Sequence, residues 1–253
     1  MCRLLGAVSA ELVDHHHALR AAPKSLAALS PDHPHGWGLA LTDGRRGWDL
    51  HKSPGCALDD PRFGALARTP GRLLVAHVRK KTVGPESLYN THPFRRGRWV
   101  FAHNGTLHDT GPIERRTSGA RRAEIEGDTD SERLFAFLLT AIDRVGGTAG
   151  GRRAPPGAVD RALCAAMDEV TAAPGFGAAN FLCSDGEALY AYRHGRTLHV
   201  LERRSVVLFA SEPQGEGPWR ELGDGDLVRV DLGAQPRVRW LSERAEARLR
   251  RIA

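Results

Sequence analysis

The chain has 253 residues, 41% of them hydrophobic and 26% charged, with a formal net charge of +6. That length buries one substantial core without demanding a second domain, and no run approaches the roughly 18 apolar residues that mark a membrane-spanning helix. The positive charge comes from arginines spread along the whole chain, with no stripe or reader motif, which argues against nucleic acid as the main partner. Four widely spaced cysteines, Cys2, Cys56, Cys164 and Cys183, form no CxxC pair, so neither a zinc site nor a disulfide framework is expected. The first 30 residues lack the order of an export signal, and a reduced cytoplasmic setting is the expectation.

In chain order, residues 2–8 read as a short buried strand and residues 13–29 as a helix ended by Ser30-Pro31. Residues 37–42 and 48–52 read as two strands joined by Asp43-Gly44-Arg45-Arg46, a composition suited to a hairpin turn. A short helix is expected at 61–68, and apolar strands at 73–79 and 99–103. The clearest helix is 131–144, where Leu134, Phe135, Leu138, Leu139 and Ile142 recur at helical spacing behind the capping residues Thr129-Asp130-Ser131. Residues 146–157 form a Gly-rich flexible connection, and 158–172 a second helix. Short strands follow at 180–184, 189–193, 198–201, 206–211 and 227–230, then a charged helix at 242–252. Two groups of strands and two helical layers point to stacked sheets covered by helices, all in one domain spanning 1–253.

The residues able to carry chemistry start at Met1-Cys2. Methionine is normally trimmed before a small residue, and a terminal cysteine carries its own base. Its α-amine, with a pKa near 8, takes the thiol proton directly or through a water. Arg79 closes the 73–79 strand and can grip a carboxylate with its fork. Asn104-Gly105 follows the 99–103 strand; a side-chain amide and a glycine N–H are what an oxyanion hole needs. Gly127-Asp128-Thr129-Asp130-Ser131-Glu132 places carboxylates at the start of the strong helix, one of which can receive an ammonium. Taken singly, Cys2 is a small buried residue, Asn104-Gly105 a common turn and Asp130 a helix cap.

Together the pieces resemble the class II, N-terminal-cysteine glutamine amidotransferases of the N-terminal-nucleophile hydrolase superfamily. The matching stretches are MCRLLG at the start, HGWGLAL at 35–41, VAHVR at 75–79, NTHPF at 90–94, FAHNGTL at 101–107 and GDTDSERLF at 127–135. NFLCSDGEALYAYR at 180–193 and LFASEP at 208–213 extend the likeness. The resemblance implies an α+β fold, a four-layer α/β/β/α sandwich of two stacked, mostly antiparallel sheets. It implies Cys2 as nucleophile, Asn104 and Gly105 as oxyanion donors, Arg79 on a substrate α-carboxylate and Asp130 on its α-ammonium, with Thr82 and Gly84 in the substrate loop. The implied reaction is hydrolysis of glutamine or another γ-glutamyl amide through a thioester, with release of glutamate.

The loop after Arg79 reads Lys80-Lys81-Thr82-Val83-Gly84, whereas many members carry a Trp-Ala-Thr-His-Gly-like loop; Thr82 and Gly84 match and the aromatic and the histidine do not. The chain resembles the stand-alone subgroup that hydrolyses γ-glutamyl compounds. Alternatives are a glutaminase subunit delivering ammonia to a separate synthase, or a non-catalytic binding module that keeps the fold. No nucleotide motif appears, so no cofactor is expected. His15-His16-His17 points three ways from a helix, so no metal site is expected there. His92 and His103 are expected to brace the loops of the site.

Overall fold

Alternation along the strands decides the architecture. In the computed structural model, which describes residues 2–147, 154–155, 157–173 and 175–242, strand β1 (Arg3–Val13) sends Leu4 and Val8 to one apolar cluster and Leu5 and Ala7 to another. A strand with apolar residues on both faces must be buried on both. It lies inside a seven-stranded sheet with β2 (Trp37–Thr42), β3 (Asp49–Ser53), β4 (Gly71–Val78), β9 (His199–Glu202), β10 (Val206–Ala210) and β11 (Arg220–Glu221). The order is β11-β9-β10-β1-β4-β2-β3. A second, six-stranded sheet contains β5 (Phe94–Arg96), β6 (Trp99–Leu107), β7 (Gly177–Ser184), β8 (Ala188–Tyr192), β12 (Leu227–Asp231) and β13 (Val238–Trp240), in the order β13-β12-β8-β7-β6-β5. Every strand pairing among the described residues is antiparallel.

The sheets stack through Leu4, Val75, Val100, Leu182, Ala191 and Phe209, whose side chains fill the gap between them. At Gly6 they come so close that a β-carbon would meet Leu182 Cδ1 at 2.9 Å and Leu189 Cδ2 at 3.0 Å. Outside the second sheet lie α5 (Asp130–Arg144) and α6 (Ala158–Thr171), with the shorter α3 (Gly111–Arg116) and α4 (Gly119–Ala123) beside them. Phe101 of β6 stacks on Phe135 of α5 with centroids 5.1 Å apart and planes 5° from parallel, which fixes how that helix sits. Outside the first sheet the cover is thinner: α1 (Leu26–Leu29), α2 (Pro61–Leu66) and two single helical turns, with Phe63 set edge-on to Trp37 at 5.1 Å. The four-layer α/β/β/α order expected from the sequence is the observed one.

Three expectations need correction. Residues 13–29 do not form one helix: β1 continues to Val13, and only a turn at His17–Ala21 and α1 are helical. Pro23 is the cause, because it drives Ala22 into the extended region (φ −65°, ψ 149°). The strand expected to stop at 103 runs on through Asn104 and Gly105 to Leu107, since β7 pairs with its whole length. The C-terminal strands also include the short edge strands β11 and β13, which sequence alternation was too brief to reveal. The 43–46 hairpin forms as expected: Asp43 Oδ1 accepts the N–H groups of Arg45 and Arg46, both at 2.8 Å, and Gly44 takes φ 82°. The helix expected at 242–252, apart from Ser242, and most of the 146–157 connection lie outside the described residues.

Candidate active site

Side chains in a strand alternate faces, so residues two apart share a face. Leu4 and Val75 face the gap between the sheets, and by the same period Cys2 and Arg79 are gap-facing at the adjacent ends of β1 and β4, where Arg3 pairs with Val78. Ala102 faces the gap from the other sheet, so Asn104 does too; Phe209 does, so Ser211 beyond β10 does. The open end of the sandwich therefore gathers Cys2, Arg79, Asn104 and Ser211 from four segments far apart in sequence.

The Cys2 thiol is clipped to the backbone of Lys80: Sγ donates to the Lys80 carbonyl at 3.5 Å and accepts from the Lys80 N–H at 3.4 Å. Burial pushes the thiol pKa up, with the Lys80 amide and the Arg79 charge pulling the other way and the Asp130 charge adding to the rise. A thiol so placed is neutral at neutral pH and needs a base to become a nucleophile. Leu4 N–H donates to Ser211 Oγ at 2.9 Å and Ser211 N–H to the Leu4 carbonyl at 3.1 Å, which secures the start of β1 to the end of β10.

Arg79 is 3% exposed. Its guanidinium donates to the carbonyls of Val83 (2.7 Å), Gly84 (3.3 Å) and Pro85 (3.1 Å), so it props up the 83–85 loop from below. Those bonds use three of the five N–H donors that an arginine carries. Gly84 takes φ 72°, and a β-carbon there would meet Asn90 Nδ2 at 2.8 Å. Thr82, by contrast, is exposed on the loop.

Gly105 has two distinct roles in the backbone. A β-carbon there would lie 1.9 Å from the Ala178 carbonyl and 2.5 Å from His103 Nε2, so only glycine permits β6 and β7 this close. Its N–H, meanwhile, points away from β7. Ala179, opposite Gly105, donates its N–H to His194 on the far side, so the two residues form a non-hydrogen-bonded pair. The β5 pairing stops at Phe101, which leaves the Gly105 N–H on an edge with no ladder partner among the described residues. Two residues on, the Leu107 N–H points the same way and donates to Asp130 Oδ2 at 2.7 Å. Asp130 Oδ1 accepts the Ser131 N–H at 2.9 Å. Asp130 thus stands beside the unpaired edge of β6, and the Asn104 side-chain amide, whose one bond among the described residues is to Ser211 Oγ at 3.4 Å, faces the gap next to it.

Two supports had no assigned role in the sequence. Asn90 is fully buried and joins two loops: Nδ2 donates to the Pro85 carbonyl at 3.0 Å, and Oδ1 accepts the Asp128 N–H at 2.9 Å. It opens the stretch NTHPF, so the motif was visible although its function was not. Ser211 lies in the stretch LFASEP, but its role was not legible there, because its partners come from β1 and β6. His77, His92 and His103 lie buried beneath the site, with the rings of His77 and His92 4.2 Å apart. Burial holds all three below the usual histidine range, His77 down to about 3. The bracing by His92 and His103 differs from the expectation: His103 holds α5 and not a loop, with Nδ1 2.9 Å from Ser131 Oγ, and neither ring nitrogen of His92 has a hydrogen-bond partner among the described residues. Among the described residues no group of three or more His, Cys, Asp or Glu is arranged to hold a metal.

The sequence model of the class II glutamine amidotransferases matches residues 1–211. An uncharacterized protein of Methanocaldococcus jannaschii is 33% identical over 81% of this chain, which spans 55% of that protein's length. The γ-glutamyl-hercynylcysteine sulfoxide hydrolase of Mycobacterium tuberculosis is 31% identical, with 91% of this chain and 93% of that protein covered. The glutamine phosphoribosylpyrophosphate amidotransferase of Bacillus subtilis shares the fold, with a TM-score of 0.67 at 18% identity over 96% of this chain and 50% of that one. Family match, stacked antiparallel sheets and a cysteine at the mouth of the gap agree, and the chain belongs to the class II glutamine amidotransferases.

Proposed function

We propose that the chain hydrolyses a γ-glutamyl amide through a thioester at Cys2. With Met1 removed, the Cys2 α-amine takes the thiol proton, and sulfur attacks the amide carbonyl carbon. The carbonyl electron pair moves to oxygen, which the Asn104 side-chain amide and the free-edge Gly105 N–H stabilise. The C–N bond then breaks, the departing amine carries off the proton, and a γ-glutamyl thioester remains. Water, losing a proton to the α-amine, attacks the thioester; glutamate leaves and the thiol is restored. The two remaining donors of Arg79 and the carboxylate of Asp130 hold the substrate's α-carboxylate and α-ammonium, so that the amide carbon lies over sulfur as proximity catalysis requires.

The observation that carries this reading is the Cys2 thiol, held against the Lys80 backbone and within the electrostatic reach of both Arg79 and Asp130. The M. tuberculosis hydrolase supports a γ-glutamyl group as the recognised part. A panel of γ-glutamyl amides is the test, run on wild type and Cys2→Ala after intact mass has verified loss of Met1. Wild type should release glutamate and accept a glutamine-mimicking diazoketone as one covalent adduct on Cys2; Cys2→Ala should do neither. Equal glutamate release by the two proteins would refute the assignment.

A further inference from the structure

Beside Cys2 lies a cavity of about 500 Å³, of whose lining the reaction described so far uses Asn104 alone. Its floor includes Asn104 and Ser211, and its charged lining is four cations, Arg3, Lys24, Arg193 and Arg196, against one carboxylate, Glu212. Glu212 is ion-paired to Arg3 and, at 3.3 Å, to Lys24. Arg193 reaches Glu221 at 3.0 Å, and no ion pair to Arg196 occurs among the described residues. The surplus is one positive charge shared by Arg3 and Lys24 around Glu212, and one at Arg196 in the turn after β8.

That turn is rigid. The buried amide of Asn180 holds both sides of it, Oδ1 accepting the His194 N–H at 2.8 Å and Nδ2 donating to the Thr197 carbonyl at 3.0 Å. Thr197 Oγ1 donates to the Ser211 carbonyl at 2.9 Å, and Arg193 Nε to the Arg196 carbonyl at 2.7 Å. Gly195, at φ 78°, sits where a β-carbon would meet Ala178 Cβ at 3.0 Å, and it donates its N–H to Asp224 Oδ1 at 2.8 Å. The arginines thus stand on a wall already in place before any ligand arrives.

Sheet order supplies the direction. The first sheet runs β10-β1-β4, so Cys2 is flanked by Arg79 on the β4 side and by Ser211, with the cavity, on the β10 side. A γ-glutamyl amide whose zwitterion lies toward Arg79 and whose carbonyl carbon lies over Cys2 must send its leaving amine the other way.

We infer that this cavity is the leaving-group subsite and selects amines that carry a carboxylate, such as an amino acid or the N-terminus of a short peptide. The inference rests on Cys2 as the nucleophile and adds the chemical class of the second half of the substrate. The half-buried guanidinium of Arg193 and the exposed one of Arg196 each contribute on the order of a two- to fivefold preference.

Three substrates test it on the Met1-trimmed protein: γ-glutamylglycine, γ-glutamyl methylamide and γ-glutamyl-1,2-diaminoethane, with anionic, neutral and cationic leaving amines. Wild type should favour γ-glutamylglycine over the methylamide by roughly three- to tenfold in kcat/KM, with the ratio shrinking as salt is added. Arg196→Glu should bring that ratio to one or below and raise the relative rate of the cationic substrate, and Arg196→Lys should keep most of the preference. A wild-type ratio of one or less, or a ratio unmoved by Arg196→Glu, overturns the subsite while leaving the Cys2 chemistry intact. Absence of turnover on all three would instead overturn the Cys2 reading, and the subsite with it.

Discussion

At the scale of single residues, the proposed reaction draws on groups that the fold leaves under-committed. The Asn104 amide has one long bond to Ser211, and the Gly105 N–H lies on a strand edge from which β5 has already ended. Donors already poised need no rearrangement as charge develops on the carbonyl oxygen, which is where an oxyanion hole gains its effect. Asn104→Ala should therefore lower kcat about 10²- to 10³-fold, with KM changed little. Stability should barely move, because the start of β1 keeps its 2.9 Å bond from Leu4 N–H to Ser211. Steady-state kinetics beside a urea melt separate the two effects; an equal loss in KM would assign Asn104 to ground-state binding.

At the scale of elements, the start of α5 is what presents Asp130. Thr129 caps the helix by accepting the Glu132 N–H at 3.3 Å, and the Glu132 carboxylate turns back to accept the N–H groups of Glu126 (3.1 Å) and Gly127 (2.7 Å). The same carboxylate meets Arg96 of β5 at 2.5 Å, in a place where Glu132 is 2% exposed. Asp130 and Glu132 also sit favourably at the positive end of the helix. Removing one partner of a buried pair is costlier than the pair is stabilising, because the remaining charge is stranded. Glu132→Ala should cost about 3 kcal/mol in urea unfolding, near the lower end for such pairs, since Glu126 remains 3.3 Å from Arg96. Glu132→Gln, which keeps an accepting oxygen for the loop, should lose clearly less; equal losses would show that the charge of Glu132 carries the whole effect and its loop hydrogen bonds none of it.

At the scale of the whole molecule, stability should follow the buried histidines. Burial lowers the pKa of His77 to about 3 and of His15 to about 4, and lowers His92 and His103 as well. In the unfolded chain each returns to about 6.5. A folded pKa below the unfolded one means that the unfolded state binds more protons on acidification. The stabilisation is complete above about pH 6.5 and is lost as pH falls toward the folded values. By pH 5, each histidine kept neutral by the fold accounts for a loss of roughly 2 kcal/mol. Urea melts from pH 8 to pH 4.5 should show a plateau above pH 6.5 and a steady decline below it; stability equal at pH 5 and pH 7 would contradict this.

The order of the elements, the pairing of stacked sheets with helices and the strength of α5 were all readable from residue spacing, because alternation and helical periodicity are local signals. So were Cys2, Arg79, Asn104, Gly105 and Asp130 as candidates, since each lay in a short recognisable stretch. Local pattern was misleading at 13–29, where Pro23 outweighed an apolar run, and at Asn104-Gly105, where a dipeptide with turn chemistry was carried straight by its β7 partner. Which edge of β6 leaves its N–H unpaired, which side of Cys2 faces Arg79 and which faces the arginine-lined cavity depend on strand order and register. Those are relations between segments up to some 200 residues apart, such as Leu4 with Ser211. A sequence specifies them only through the packing it ends in, so they became visible when the sheets were stacked.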